Sequence, residues 1–157
     1  MKKFELTNEF ITNMFGTKLF RIRALVEFGD VEAGELGGYV EKESNLGHDD
    51  NAWVYDNAWV YGDAQVSGDA RVCGNGDYAY AHGFGSVNRT TTFFRLKDGG
   101  VGVRCGCFYG TLAQFRDKIR ETHGETKKAQ EYLMLADLME LRFEEDENEV
   151  GNRKYVE

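Results

Sequence analysis

Residues 51–74 read Asn-Ala-Trp-Val-Tyr-Asp, Asn-Ala-Trp-Val-Tyr-Gly, Asp-Ala-Gln-Val-Ser-Gly and Asp-Ala-Arg-Val-Cys-Gly, one six-residue pattern used four times in succession. Ala52, Ala58, Ala64 and Ala70 hold one position, Val54, Val60, Val66 and Val72 hold the position two residues on, and Asn, Asp or Gly fills the junctions. A fixed short period with turn residues at a fixed phase marks a repeat architecture, and a period of six predicts the short strands and corners of a β-helix. Alternate side chains of an extended chain point to opposite faces. With Ala and Val inside, the outward positions fall to Trp53 and Tyr55, Trp59 and Tyr61, Gln65 and Ser67, and Arg71 and Cys73.

An aliphatic residue followed four positions later by a small one, as in Val60 to Ala64 and Val66 to Ala70, resembles the hexapeptide-repeat, left-handed β-helix family. That resemblance implies three hexads to each triangular coil, so that residues eighteen apart stack, Trp53 over Arg71 and Tyr55 over Cys73. A wider stretch, roughly residues 17 to 143, is similar to short hexapeptide-repeat proteins of phages and prophages. It is carried by Leu-Phe-Arg-Ile-Arg-Ala-Leu-Val-Glu-Phe at 19–28 and Gly-Gly-Tyr-Val at 37–40, followed by the hexads. The fold class expected is α+β, a short left-handed β-helix or β-roll of hexapeptide repeats with a C-terminal ββαα lobe.

Outward from the repeat, Phe20, Ile22, Ala24, Val26 and Phe28 alternate with Arg21, Arg23 and Glu27, interrupted only by Leu25, and predict a half-buried strand. Residues 1 to 16 carry a shorter apolar pattern that suits a strand and one helical turn. Beyond Gly74 the hexad rule fails, because Tyr78 falls where a valine should and is too bulky for the same interior. The run is too short for a free-standing solenoid, which needs about three stacked units. Cover must come from the flanking segments or from another subunit. Residues 90–97 and 101–109 around Asp98-Gly99-Gly100 predict a β-hairpin. Thr111-Leu-Ala-Gln114 is a capping box that opens a helix ending at Gly124, and Thr126 to Phe143 predicts a second, amphipathic helix. The organisation expected is therefore a strand region plus repeats over 1–89, a hairpin and two-helix lobe over 90–143, and an acidic flexible tail over 144–157.

With 41% hydrophobic and 13% aromatic residues the chain is too apolar for a disordered protein. Nineteen glycines and no proline mean that its turns are built by Gly, Asn and Asp, as a tightly turning β structure requires. No apolar run is long enough to cross a bilayer and the N-terminus lacks a signal-peptide core, which predicts a cytoplasmic protein, by the phage resemblance one of the bacterial host cell. Three cysteines are not a secreted disulfide framework. A net charge of -8 argues against direct nucleic-acid binding.

Several constellations bear on function. Trp53, Tyr55, Trp59 and Tyr61 left in water would exceed the apolar patch of an ordinary monomer. Either the N-terminal strand or the C-terminal hairpin covers them, or they form with Arg71 a partner or oligomer surface, Arg71 stacking on Trp53 as a cation–π pair. Arg116, Arg120, Lys127 and Lys128, with Lys118, form a basic patch at the inter-helix turn, interleaved with Asp117, Glu121 and Glu125. Cys105-Gly-Cys107 lacks the spacing and the second pair of a zinc site, and alternation places both thiols on one face as small hydrophobes. His48 and His82 flank the repeat. The hexapeptide resemblance implies a trimeric acyltransferase with a histidine base and a coenzyme A cleft, but too few coils exist to build that cleft. No cofactor or metal is expected, and no membrane partner. The reading that results is a non-catalytic binding and assembly protein of phage type, self-associating, that antagonises a bacterial defence system by binding a host protein or a small ligand; a reduced acyltransferase is the alternative.

Overall fold

The computed structural model describes residues 2–85 and 89–144. The eight alanines and valines of the hexads are all buried, none more than 3% exposed. The strands they belong to are two residues long: β4 Trp53–Val54, β5 Trp59–Val60 and β6 Arg71–Val72. Before them come β1 Phe4–Thr12, β2 Lys18–Ala24 and β3 Leu36–Val40. After them come β7 Tyr78–Phe84, β8 Arg89–Arg95, β9 Val101–Cys105 and β10 Phe108–Thr111, then α1 Leu112–His123 and α2 Lys127–Phe143.

The left-handed β-helix expected from the period is not the fold. The described strands form three separate sheets, ordered β1-β2-β3-β5, β10-β9-β8-β7 and β4-β6, in a chain that is mostly sheet with two short helices. The hexads differ because each finds a different partner. β5 pairs in parallel with β3, Tyr39 opposite Trp59, and so joins the N-terminal antiparallel sheet. β4 pairs in parallel with β6, Trp53 opposite Arg71. The third hexad contributes only the bridge Leu46 to Val66. Four hexads cannot bury a core by stacking on one another alone, so they bury it against whatever the rest of the chain supplies.

The N-terminal segment is one strand with a shifted register between Leu6 and Phe10, without the helical turn expected there. Phe4, Ile22 and Ala24 from β1 and β2 pack with Val40, Trp53 and the hexad valines in one apolar cluster. Two polar residues tie this half together. Lys3 is buried and its ammonium donates to the carbonyls of Asp50 at 3.0 Å and Ala52 at 2.6 Å and to the Asp50 carboxylate at 3.1 Å. Asn45, fully buried, accepts from the Glu41 and Lys42 amides at 3.2 and 2.9 Å and donates to the Gly62 and Ala64 carbonyls at 3.1 and 3.0 Å. One side chain thereby satisfies four backbone groups of two separate segments.

The second sheet is an antiparallel meander covered by the helices. The strand expected over 101–109 is broken at Gly106, whose φ of +60° turns the chain from β9 into β10. α1 begins as the capping box requires, Thr111 accepting from the Gln114 amide at 3.2 Å and Gln114 accepting from the Thr111 amide at 2.9 Å, and it ends at Gly124. β8 is the element on which both halves meet. Phe93 packs with Phe115, Ile119, Tyr132 and Met139 of the helical side, and its neighbour Phe94 packs with the hexad cluster. At the same junction Tyr80 and Tyr109 lie over the hexad-corner glycines Gly62 and Gly68, where any Cβ would overlap the phenol. The Tyr109 hydroxyl accepts from the Asp69 amide at 3.0 Å.

Candidate binding site

The structure separates the four outward aromatics. Trp53 is 0% exposed, set edge-on between Phe4 and Phe28 at ring distances of 6.3 and 5.2 Å. It belongs to no surface, because the N-terminal strand and the Phe28 turn lie across it. Trp59 is half-buried with its backbone amide donating to the Asn75 side chain at 2.7 Å, and Tyr61 is 38% exposed. The expected Arg71–Trp53 stack is replaced: the Arg71 guanidinium lies over the Tyr55 ring, 4.8 Å from its centre. In parallel pairing Arg71 stands opposite Trp53 in register, but the indole is buried in the core and the ring that Arg71 covers is Tyr55.

Tyr55 and Arg71 open onto a cavity of about 570 Å3 between the β4–β6 ladder, the Gly29-Asp30 turn and the Leu96–Asp98 corner. Asp30 reaches across it, 3.7 Å from the Arg71 guanidinium and 3.4 Å from the Lys97 ammonium. Both pairs are long and exposed, the kind that contributes least in water and is most readily exchanged. Asp69 and Asp98 also line the space, so two cations face three carboxylates. Burial raises the Tyr55 phenol above its ordinary range against the opposing pull of Arg71. The set can hold a compact polar molecule that offers both an acceptor to Arg71 and Lys97 and a donor to the aspartates, with one flat face against the guanidinium.

The other predicted residues go elsewhere. Arg116 is held between Asp137 at 2.9 Å and Glu140 at 3.4 Å of α2, and it joins the two helices rather than presenting a patch. Arg120 pairs with Asp117 at 3.6 Å on its own helix. Lys127 and Lys128 are exposed in the first turn of α2. His48 stacks on Phe4 at 4.3 Å and its Nδ1 accepts from the Lys3 amide at 3.1 Å, while His82 sits exposed on β7, bonded to Thr90 at 2.8 Å. Cys105 is buried, whereas Cys73 and Cys107 are exposed. Cys107 leaves the face of Cys105 because β9 ends and the chain turns between them. Among the described residues no group of three or more His, Cys, Asp or Glu is placed to hold a metal ion.

α2 carries a feature that a single apolar stripe conceals. Its buried side is Ala129, Tyr132, Ala136, Met139 and Phe143. Met134, Leu138 and Leu141, at i, i+4 and i+7, stand on the opposite side at 70%, 54% and 68% exposure. Among the described residues no helix is long and apolar enough to cross a membrane. No protein-family model matches the chain, and no curated protein matches it.

Proposed function

We propose that this chain is a non-catalytic binding and assembly protein of phage type that self-associates and takes a small polar ligand into the Tyr55/Arg71 cavity. The observation that carries the reading is that cavity, where a guanidinium stacked on a phenol and the weak Asp30 bridge to Arg71 and Lys97 leave exchangeable charges around about 570 Å3. The exposed Met134–Leu138–Leu141 stripe supports self-association, since apolar residues spaced along one helix face are the usual anchors of helix pairing. The phage assignment rests on the resemblance of residues 17 to 143 to short phage repeat proteins, and antagonism of a bacterial defence system is the role that fits a small acidic protein of that kind.

The test is to purify the chain from the bacterial host, denature it, and identify small molecules released, beside a Tyr55→Ala/Arg71→Ala variant carried through the same steps. A stoichiometric polar compound released by the parent and lost from the variant is expected. Equal release from both, or none from either with no host protein retained, overturns the reading. Acetyl-coenzyme A raising the melting temperature, with the rise abolished by His48→Ala or His82→Ala, would replace it with the acyltransferase alternative.

A further inference from the structure

A second pocket, of about 190 Å3, lies between the β8–β10 sheet and α1, walled by Phe108, Phe115 and Ile119. Cys105 and Tyr132 line it as well. The buried Thr91 hydroxyl donates to Cys105 Sγ from the core side at 3.3 Å, and the Tyr132 hydroxyl stands 3.8 Å from the same sulfur. Arg89, Lys118 and His123 complete the wall, and among the described residues no carboxylate lines the space. Lys118 has only a long exposed pairing with Glu121 at 3.8 Å on its own helix. Arg89 lies against Gly106, where a Cβ would overlap its guanidinium.

This charge set is unlike the rest of the molecule. The chain carries a net charge of -8, and the first cavity mixes both signs. A guanidinium and an ammonium gathered around an apolar space, with an imidazole beside them and no acid among the lining residues, make a local positive potential that selects for anions. The volume sets the size of the guest. An apolar cavity of about 150 Å3 is enough for benzene, so one slightly larger leaves room for a single ring and a small head group. Guanidinium recognises a carboxylate with two parallel hydrogen bonds, which fixes which end of the guest faces Arg89.

We propose that this pocket binds a small organic anion, one ring or a chain of similar bulk bearing a carboxylate. The carboxylate sits at Arg89, Lys118 and His123, and the apolar body rests on Phe108, Phe115 and Ile119. The Tyr132 hydroxyl, which also lines the pocket, is a donor at neutral pH as any phenol is. The site is independent of the Tyr55/Arg71 cavity and stands whether or not that one is occupied.

Benzoate is the probe, titrated into the full chain and followed by methyl and aromatic NMR signals of Ile119 and Tyr132. Saturable shifts with a Kd of about 1 mM or tighter are expected for a guest of about nine heavy atoms. Benzyl alcohol, the uncharged analogue, binds at least tenfold more weakly, and so does inorganic phosphate, which lacks the ring. Arg89→Gln, at an exposed position that leaves the core intact, weakens benzoate at least tenfold, and Lys118→Gln weakens it further. Tyr55→Ala/Arg71→Ala leaves it unchanged. Shifts that never saturate, benzyl alcohol binding as tightly as benzoate, phosphate doing so, or an unaltered affinity in Arg89→Gln each overturn the proposal.

Discussion

Replacing Asn45 by alanine removes four hydrogen bonds at once, two accepted from the Glu41 and Lys42 amides and two donated to the Gly62 and Ala64 carbonyls. The side chain is 0% exposed, so water cannot easily take its place. A net value near 1 kcal/mol for each bond, with the lower half of the range for carbonyls that can relax, places the loss at about 3 kcal/mol. Total stability is typically only about 5–15 kcal/mol, so this is a large fraction of it. With an urea m-value of about 2 kcal/mol/M, the midpoint should fall by about 1.5 M at unchanged slope. Asn45→Asp sharpens the test. It keeps the oxygen that accepts from both amides but aims a carboxylate at two carbonyls, so at neutral pH it should cost at least as much as alanine. In acid, where the carboxyl regains one donor, the deficit relative to the parent should shrink. A midpoint shift below about 0.4 M for Asn45→Ala would mean that the corner is held by its backbone alone, and the reasoning fails.

Two further outcomes are expected. Light scattering on a sizing column should give a mass above 17.8 kDa for the parent, and Met134→Lys/Leu138→Lys should return it to the monomer value with the far-UV circular dichroism of the folded chain retained, since both side chains face away from the core; a parent that already runs as a monomer at high concentration removes the self-association reading. The Tyr132 phenol, raised from 10.0 to about 12, binds its proton more tightly folded than unfolded, so its contribution to stability is complete below pH 10 and is lost as pH climbs toward 12. Tyr132→Phe should flatten that alkaline loss in urea titrations, and an equally steep fall in the variant contradicts it.

What could be read directly from the sequence was local in origin. The burial of the hexad alanines and valines, the Thr111–Gln114 capping box and the glycine that ends α1 each follow from neighbours within a few residues. Partnership was legible only in part. The eighteen-residue spacing implied by the hexapeptide resemblance sets Trp53 opposite Arg71, as the β4–β6 ladder does, but nothing in an Ala-Trp-Val-Tyr hexad states that the second copy will pair with β3. Alternation sent Trp53 outward, but it could not say that Phe4 and Phe28 would close over the indole and bury it in the same cluster as Val54. The same limit explains the two cavities. Asp30, Arg71 and Lys97 come from three distant segments, and Arg89 of β8 lies far along the chain from Lys118 and His123, which share α1. Cys105 and Cys107 share a face only while the strand continues, and Gly106 ends it.

The position of β8 has a consequence for how the molecule comes apart. Phe93 belongs to one hydrophobic cluster and Phe94 to the other, and Thr91 and Thr92 between the same walls are buried as well. This strand is a party wall, and neither room stands without it. Loss of the helices would strip one side of β8 and withdraw Phe94 from the hexads, while loss of the N-terminal sheet would expose the other side and loosen Phe93. Amide protons on the two sides should therefore exchange through one shared opening rather than two, and a fragment ending at the last hexad should lack a folded state of its own.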